Sequence, residues 1–242
     1  MRRFRRPARV ATTITHRGLL DESMSGYIQE NIDPEELAHR AELASAIAGS
    51  VRDLIDATVR TEVGDSDIEE ARRLIAAAAE ILRKDQLPGS FGIRFNADGT
   101  KRSWGNAVLG RRNPIAPPVE VRHETDHSWF EVELGPQYEG PAGLVHGGVL
   151  ALVFDQLLGS TAVFQRVPGM TGTLSVRYLR GTPLGPIRGE ARVDRVEGVK
   201  TFVTGTISVG GEVTAESEGI FILPRWARGE VPDVMRKSVG EG

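Results

Sequence analysis

Hydrophobic residues in the first third of the chain recur every three or four positions, which is typical of helices. One such stretch covers residues 33–61 and opens with Asp33, a residue suited to capping a helix. Gly64 interrupts the pattern, and a second stretch runs from Ser66 to Gln86. Two helices joined by a short turn predict a helical hairpin over residues 33–86, whose apolar stripe must be buried against another part of the protein.

The pattern changes to a period of two after Pro118, where polar and apolar residues alternate as in half-buried strands. One apolar helix, residues 147–164, interrupts these strands, and its apolar residues lie on nearly every side, so we expect it to be buried. Five strands are predicted from the segments WFEVEL, TLSVRYL, IRGEARVD, KTFVTGTISV and EVTAESEGIFIL, the last two joined through Gly210 and Gly211. This order predicts an α+β fold in which an antiparallel sheet wraps around a central helix.

The same changes of pattern divide the chain into regions. Residues 87–127 form a connecting arm that is rich in Gly, Pro and Asn and has no helical period. The predicted regions are therefore a basic tail at 1–32, the helical hairpin at 33–86, the arm at 87–127, the sheet-and-helix domain at 128–226 and a C-terminal tail at 227–242.

Charge is uneven along the chain. Residues 1–20 contain six arginines and no acidic residue, whereas the rest of the chain has 24 basic and 33 acidic residues. An Arg-rich, acid-free start is similar to a mitochondrial transit peptide, but it is also typical of a basic tail. We expect a cytoplasmic protein, with the mitochondrial matrix as the alternative.

The overall composition excludes several classes of protein. Hydrophobic residues make up 40% and charged residues 26% of the chain, as in globular proteins, and no apolar run is long enough to span a membrane. A net charge of −3 gives no reason to expect nucleic acid as a partner. Because the chain has no cysteine, disulfides, thiolate zinc sites and cysteine nucleophiles are excluded.

His123, Glu124 and His127 match H-E-x-x-H, the zinc motif of metalloproteases. That motif works only on a helix, where both histidines face the same side, and here two prolines precede the match and a strand follows it directly. In a strand the two histidines would be ~13 Å apart, too far to share one ion. We therefore interpret the match as a turn or strand entry and predict no metal site.

A second histidine has a more informative setting. His146, Gly147 and Gly148 stand at the start of the apolar helix, where backbone N–H groups lack internal partners and glycine lets a substrate oxygen approach. Asp155 stands in the middle of the same helix, and an unpaired buried carboxylate is costly unless it is partnered, protonated or functional. Residue pattern alone leaves two interpretations open: a catalytic site, or a glycine helix entry with a hydrogen-bonded core aspartate.

Gly147 and Asp155 are eight residues apart, or ~12 Å along a helix. A carboxylate at that distance cannot act on a carbonyl held at Gly147 of the same chain. Two such helices running antiparallel across a two-fold axis would bring Gly147 of one chain near Asp155 of the other. If the site is catalytic, it requires a dimer.

The segments YEGPAGLVHGGVLALVFDQLLG and TGTLSVRYLRGTPLGPIRGEARVDRVEGVKTFVTGTISVGGEVTAESEGIFIL closely resemble the hotdog-fold acyl-CoA thioesterases. These include the phenylacetate-pathway (PaaI-like) branch and mammalian thioesterase-superfamily proteins with N-terminal extensions. The resemblance covers residues 128–225, and its motif is HGG with an acid nine residues after the histidine. It implies a hotdog fold, an acyl-CoA substrate, a role in lipid metabolism, no cofactor, and a homodimer or homotetramer with active sites at the dimer interface.

The resemblance also implies residue roles. Gly147 would polarise the thioester carbonyl through its N–H, His146 would position the thioester, and Asp155 would be the nucleophile or the general base. Thr171 matches a position that assists catalysis in the extended branch. The PaaI-like branch often has Asn or Gln where this chain has Gly140, which puts the ordering of a catalytic water in doubt. The candidates for substrate binding are Gly148, with its backbone at the helix entry, and Arg177, Arg180 and Arg188 for the CoA phosphates.

Two other functions remain open on the same fold. One is a hotdog protein that holds an acyl-CoA or a lipid without turnover, although retention of HGG together with Asp155 argues against it. The other is a hydratase or lyase. Hotdog hydratases use an Asp and a His five residues apart, and no histidine follows Asp155 in this chain.

Overall fold

The computed structural model describes residues 27–228 and residue 239. The predictions made for residues 1–26 and for most of the C-terminal tail lie outside the described residues. Helix α1 spans Pro34–Arg60 and α2 spans Asp65–Arg83, so both predicted helices are present. Asp33 caps α1, its side chain accepting a hydrogen bond from the Glu35 N–H at 2.9 Å.

The two helices differ in how far their apolar residues are buried. Helix α1 buries Ala44 and Ala48 and packs on a 3₁₀ turn, Pro136–Tyr138, that lies shortly before the HGG segment. No residue of α2 is buried. The expectation that the apolar stripes of both helices are buried against another part of the protein is therefore met by α1 alone. The exposed apolar residues of α2 are Ile68, Leu74, Ile75, Ile81 and Leu82.

A small sheet joins the chain before α1 to the arm. Its strands are β1 (Tyr27–Gln29), β2 (Ile93–Phe95) and β3 (Lys101–Arg102), with β1 parallel and β3 antiparallel to β2. The predicted basic tail therefore extends too far, because Tyr27–Gln29 belong to a sheet. Burial in this region lowers the pKa of Lys101 to about 7.

Buried charge links the three strands of this small sheet. The Glu30 carboxylate bridges Arg94 and Arg102, at 2.5 and 3.2 Å. Arg102 also donates to Asn96 Oδ1 at 2.7 Å, and its side chain is only 3% exposed. The start of the arm is therefore ordered, since these contacts hold it to the chain that precedes α1.

The main sheet has six strands: β4 (Arg122–His123), β5 (Ser128–Leu134), β6 (Met170–Tyr178), β7 (Gly185–Glu197), β8 (Lys200–Val209) and β9 (Glu212–Ile222). All of them pair antiparallel, in the order β4-β5-β7-β8-β9-β6. Helix α3, Gly147–Phe164, packs on one face of the sheet, which confirms the predicted α+β hotdog arrangement.

Helix α3 is the centre of the hydrophobic core. Ten of its residues are buried, and Phe154, Leu157 and Leu158 are 0% exposed. By length and a mean hydropathy of 1.5, α3 also has the composition of a membrane span, but half of it is buried inside this protein. Its apolar character is accounted for by its place beneath the sheet.

Candidate active site

The first turn of α3 presents one free backbone donor. His146 caps the helix, its Nδ1 accepting a hydrogen bond from the Gly148 N–H at 2.9 Å. The Gly147 N–H has no acceptor among residues 27–228. The structure therefore separates the two glycines: the Gly148 N–H is used inside the protein, and the Gly147 N–H is available to a ligand at the positive end of the helix dipole.

The loop before α3 packs tightly against this turn. A Cβ atom at Gly140 would lie 2.8 Å from the His146 Cα, so a larger side chain would push the histidine away. The His146 N–H donates to the Tyr138 carbonyl at 2.9 Å, which fixes the cap from the other side. Close packing against His146 therefore explains why this chain has Gly140 where the PaaI-like branch often has Asn or Gln.

Asp155 is half-buried rather than fully enclosed, and it has one hydrogen-bond partner among residues 27–228. The Thr171 hydroxyl, on β6, donates to Asp155 Oδ1 at 2.8 Å. The structure therefore brings together the two side chains that the resemblance singled out. The donor fixes one carboxylate oxygen and leaves the other free to act.

Tyr178 is a site residue that the sequence did not reveal. Its hydroxyl donates to the Gly147 carbonyl at 2.8 Å, and its ring lies where a Cβ atom at Gly147 would be 3.2 Å away. The sequence did contain one indication: polar and apolar residues alternate in TLSVRYL, which places Tyr178 on the same face of the strand as Leu174 and Val176. Only the antiparallel packing of β6 on α3 brings it to the helix start.

We call the line along which β6 packs on α3 the α3–β6 groove. Its ends are the Gly147–Tyr178 contact and the Asp155–Thr171 contact. Within the described part of the chain β6 pairs with β9 on one side only, and most of its residues are exposed. The groove therefore opens at an unpaired strand edge.

The three arginine candidates do not converge on the groove. Arg177 and Arg188 lie on the sheet face that points away from α3, where Arg177 pairs with Glu216 and Arg188 pairs with Glu131 at 3.0 Å. Arg180 follows Tyr178 by two residues, so it lies at the same end of the sheet as Gly147. It is paired with Glu212 at 2.6 Å. A role for any of them at the CoA phosphates stays a prediction.

The H-E-x-x-H match lies in a strand and a turn, as predicted. His123 is in β4, where its Nδ1 is 2.8 Å from Ser128 Oγ, and His127 Nδ1 is 2.8 Å from Asp126. Within the residues that the structure describes, no group of three or more His, Asp or Glu side chains could hold a metal ion.

An antiparallel sheet over one buried helix, which begins at two glycines, is the arrangement of a hotdog protein. The model of the thioesterase superfamily matches residues 142–216. The crystal structure of a thioesterase superfamily protein is 31% identical, covers 74% of this chain and 90% of its own, and superposes with a TM-score of 0.68. The chain belongs to the thioesterase superfamily.

Relatives of this chain include proteins named acyl-coenzyme A thioesterase THEM4. The protein from Xenopus laevis is 38% identical over 71 residues, 29% of this chain and 32% of the relative. The protein from Mus musculus is 33% identical over 91 residues, 36% of this chain and 39% of the relative. The chain thus spans about a third of the length of these relatives.

Proposed function

We propose that this protein is an acyl-CoA thioesterase, which hydrolyses an acyl-CoA to a free carboxylic acid and coenzyme A. The observation that carries the proposal is the α3–β6 groove, with a free Gly147 N–H at one end and the Asp155 carboxylate, bonded to Thr171, at the other. Membership of the superfamily and the names of the two relatives support the same reaction. Coenzyme A takes part only as the carrier of the substrate, and no further cofactor is proposed.

In the proposed reaction the Gly147 N–H donates to the thioester carbonyl oxygen and stabilises the negative charge that develops there. Asp155 either attacks the carbonyl carbon to form an anhydride, which water then opens, or accepts the proton of an attacking water. In both routes the C–S bond breaks, the CoA sulfur takes up a proton, and the oxygen of water ends in the carboxylic acid or in Asp155. His146 positions the thioester.

The two groups act from different subunits in this proposal. Along α3, Gly147 and Asp155 are separated by ~12 Å, so one carbonyl cannot meet both within a chain. We propose a homodimer, or a homotetramer of two such dimers, in which Gly147 lies near Asp155 of the partner subunit. The unpaired edge of β6 and the 40% exposed Leu152, on the Asp155 side of α3, support this arrangement.

Subunit association can be tested separately from turnover. Leu152→Arg places a charge at the proposed interface and should convert the protein to inactive monomers in analytical ultracentrifugation. Val199→Arg is the matched control, because Val199 is 38% exposed in the turn between β7 and β8. A dimer of Leu152→Arg with full activity would contradict the arrangement.

Release of free CoA from short, medium, long-chain and phenylacetyl thioesters tests the function, with wild type beside Asp155→Asn. Turnover should fall by about 100-fold or more in the folded variant, as when a general base or nucleophile is removed. Binding of acyl-CoA without turnover would identify a carrier, and a hydrated product would identify a hydratase. Single turnover in ¹⁸O-water then separates the two routes, because only the anhydride route can place ¹⁸O in Asp155.

A further inference from the structure

The peptide group between Gly147 and Gly148 is held at both of its polar atoms. Its N–H, which belongs to Gly148, donates to His146 Nδ1 at 2.9 Å. Its carbonyl, which belongs to Gly147, accepts from the Tyr178 hydroxyl at 2.8 Å. Because a peptide group is planar and its N–H and C=O point in opposite directions, hydrogen bonds at both atoms restrict its rotation. One of these two bonds comes from β6 and not from the helix.

The preceding peptide group, between His146 and Gly147, carries the N–H that we assign to the thioester carbonyl. Its carbonyl, which belongs to His146, accepts from the N–H groups of Val149 and Leu150, at 2.9 and 3.2 Å. Of the four polar atoms in the two peptide groups, the Gly147 nitrogen is thus the one without a partner among residues 27–228. The other three hold the start of α3 in place.

The two peptide groups meet at the Cα atom of Gly147. Glycine has no Cβ, so its backbone angles are the least restricted of any residue. The direction of the Gly147 N–H therefore depends on the hydrogen bonds around it and not on a side chain of its own. A bond from Tyr178 to the Gly147 carbonyl restrains the residue whose N–H is to meet the substrate.

The same hydrogen bonds connect Tyr178 to His146. A carbonyl that accepts a hydrogen bond polarises its peptide group, which makes the N–H of that group a stronger donor. The bond from Tyr178 therefore strengthens the bond from the Gly148 N–H to His146 Nδ1. An imidazole whose Nδ1 accepts a hydrogen bond has its proton on Nε2, so this chain of bonds also orients the His146 ring.

Tyr178 is attached to a rigid part of the sheet. It is the last residue of β6 and pairs with Ala215 of β9, which is 0% exposed. A Cβ atom at Gly147 would lie 3.2 Å from the hydroxyl oxygen of Tyr178, so the ring packs directly against the glycine. Tyr178 is itself 51% exposed, so filling the core does not account for its position.

We propose that Tyr178 is a positioning residue of the active site, which holds the Gly147–Gly148 peptide group so that the Gly147 N–H points at the thioester carbonyl. This inference rests on the proposed thioesterase function. Tyr178 acts through Gly147 and His146 and does not itself touch the reacting atoms.

Tyr178→Phe tests the inference, because it removes the hydroxyl and keeps the ring against Gly147. We expect kcat for CoA release to fall by about tenfold while KM stays within about twofold, since the negative charge on the carbonyl oxygen develops only in the transition state. Tyr27→Phe makes the same chemical change in β1 of the small sheet, so it is the matched control and should leave both constants unchanged. All proteins are compared well below their Tm values.

A vibrational measurement reads the same alignment without turnover. The thioester of the panel that Asp155→Asn binds most tightly is labelled with ¹³C at its carbonyl, and the C=O stretch of the complex is measured by infrared difference spectroscopy. An aligned donor weakens the C=O bond and lowers this frequency. Adding Tyr178→Phe should move the stretch back towards that of the free thioester, and adding Tyr27→Phe should not. Loss of stability alone would leave the stretch of the folded complex unchanged.

The outcomes separate this inference from the proposed function. Wild-type kcat and an unmoved stretch with Tyr178→Phe would overturn the inference and leave the thioesterase function standing. A raised KM with wild-type kcat would also overturn it, since Tyr178 would then be a binding contact. A stretch that depends on Tyr178 in a protein that hydrolyses no thioester would support the positioning role and refute the proposed hydrolysis. Failure to bind or hydrolyse any thioester of the panel would refute both.

Discussion

The hydrogen bond from Thr171 to Asp155 gives the sharpest test of the site. Thr171→Val removes the hydroxyl and keeps the branched shape of the side chain, so the packing of β6 on α3 is preserved. A hydrogen bond to a charged group is worth ~1.5–3 kcal/mol, and solvent access at the groove favours the lower value. Loss of ~1.5 kcal/mol of transition-state stabilisation corresponds to a rate about tenfold lower.

The assay is steady-state CoA release with the best thioester of the panel. Because Thr171 holds a carboxylate that reacts rather than one that binds the substrate, we expect kcat to fall by about tenfold while KM stays within twofold. Thr171→Ser keeps the donor and should recover most of the activity. Thermal unfolding of both variants, measured in parallel, separates loss of positioning from loss of fold.

Two results would refute this reasoning. Wild-type kcat in Thr171→Val would mean that the 2.8 Å hydrogen bond is not used in the reaction. A loss in Thr171→Ser as large as that in Thr171→Val would mean that the hydroxyl alone does not account for the role of Thr171.

Three further predictions concern stability. Tyr178→Phe removes the 2.8 Å hydrogen bond to the Gly147 carbonyl and should cost ~1 kcal/mol, or ~2–4 °C in Tm. Gly189→Ala puts a Cβ atom 2.2 Å from the Phe130 ring, so overpacking should cost ~1–3 kcal/mol in chemical denaturation. The pKa of Lys101 is about 7 in the folded protein and ~10.4 when unfolded, so the unfolded state binds more protons between these values. Stability should therefore rise between pH 7 and pH 9, and Lys101→Met should weaken that rise.

Gly189→Ala has a matched control in the chain, and each of the three predictions has an outcome that would contradict it. Gly49 lies in α1 with nothing within 4 Å of an added Cβ atom, so Gly49→Ala should stabilise by ~0.5–1 kcal/mol where Gly189→Ala destabilises. A neutral Gly189→Ala would show that the Phe130 ring can move aside. For Lys101, an unchanged pH dependence in the Met variant would assign the rise to other groups, and an unchanged Tm in Tyr178→Phe would show that water replaces the hydroxyl.

The main sheet and its helix were predictable because each element has a long and regular pattern. Helix α3 is apolar on all sides over 18 residues, and β7, β8 and β9 alternate over 10 or more residues each. The small sheet was not predictable from such a pattern. Its strands have two or three residues, and β1 pairs with β2 across 66 residues of chain.

The sequence also did not predict that α2 is exposed. Its apolar stripe predicts burial, and the periodicity is the same whether the stripe packs on its own chain or not. For α1 the sequence was sufficient, since its buried residues, Ala44 and Ala48, belong to the apolar stripe that its sequence predicts. That stripe consists of Leu37, Ala41, Ala44, Ala48, Val51 and Ile55. A pattern identifies the face of a helix that is apolar, whereas the partner of that face depends on the tertiary structure.

The meeting of Thr171 with Asp155 depends on a break in strand alternation. On β6, Leu174, Val176 and Tyr178 point towards α3, so strict alternation would place Thr171 on the opposite face. A register shift between Thr171 and Thr173 in the pairing with β9 adds one residue at this point and turns Thr171 back to the helix. The residue at the shift is Gly172, where a Cβ atom would lie 2.7 Å from the Ile222 side chain. Regular alternation thus places Tyr178 against the helix start, and the bulge lets the same strand place Thr171 against Asp155.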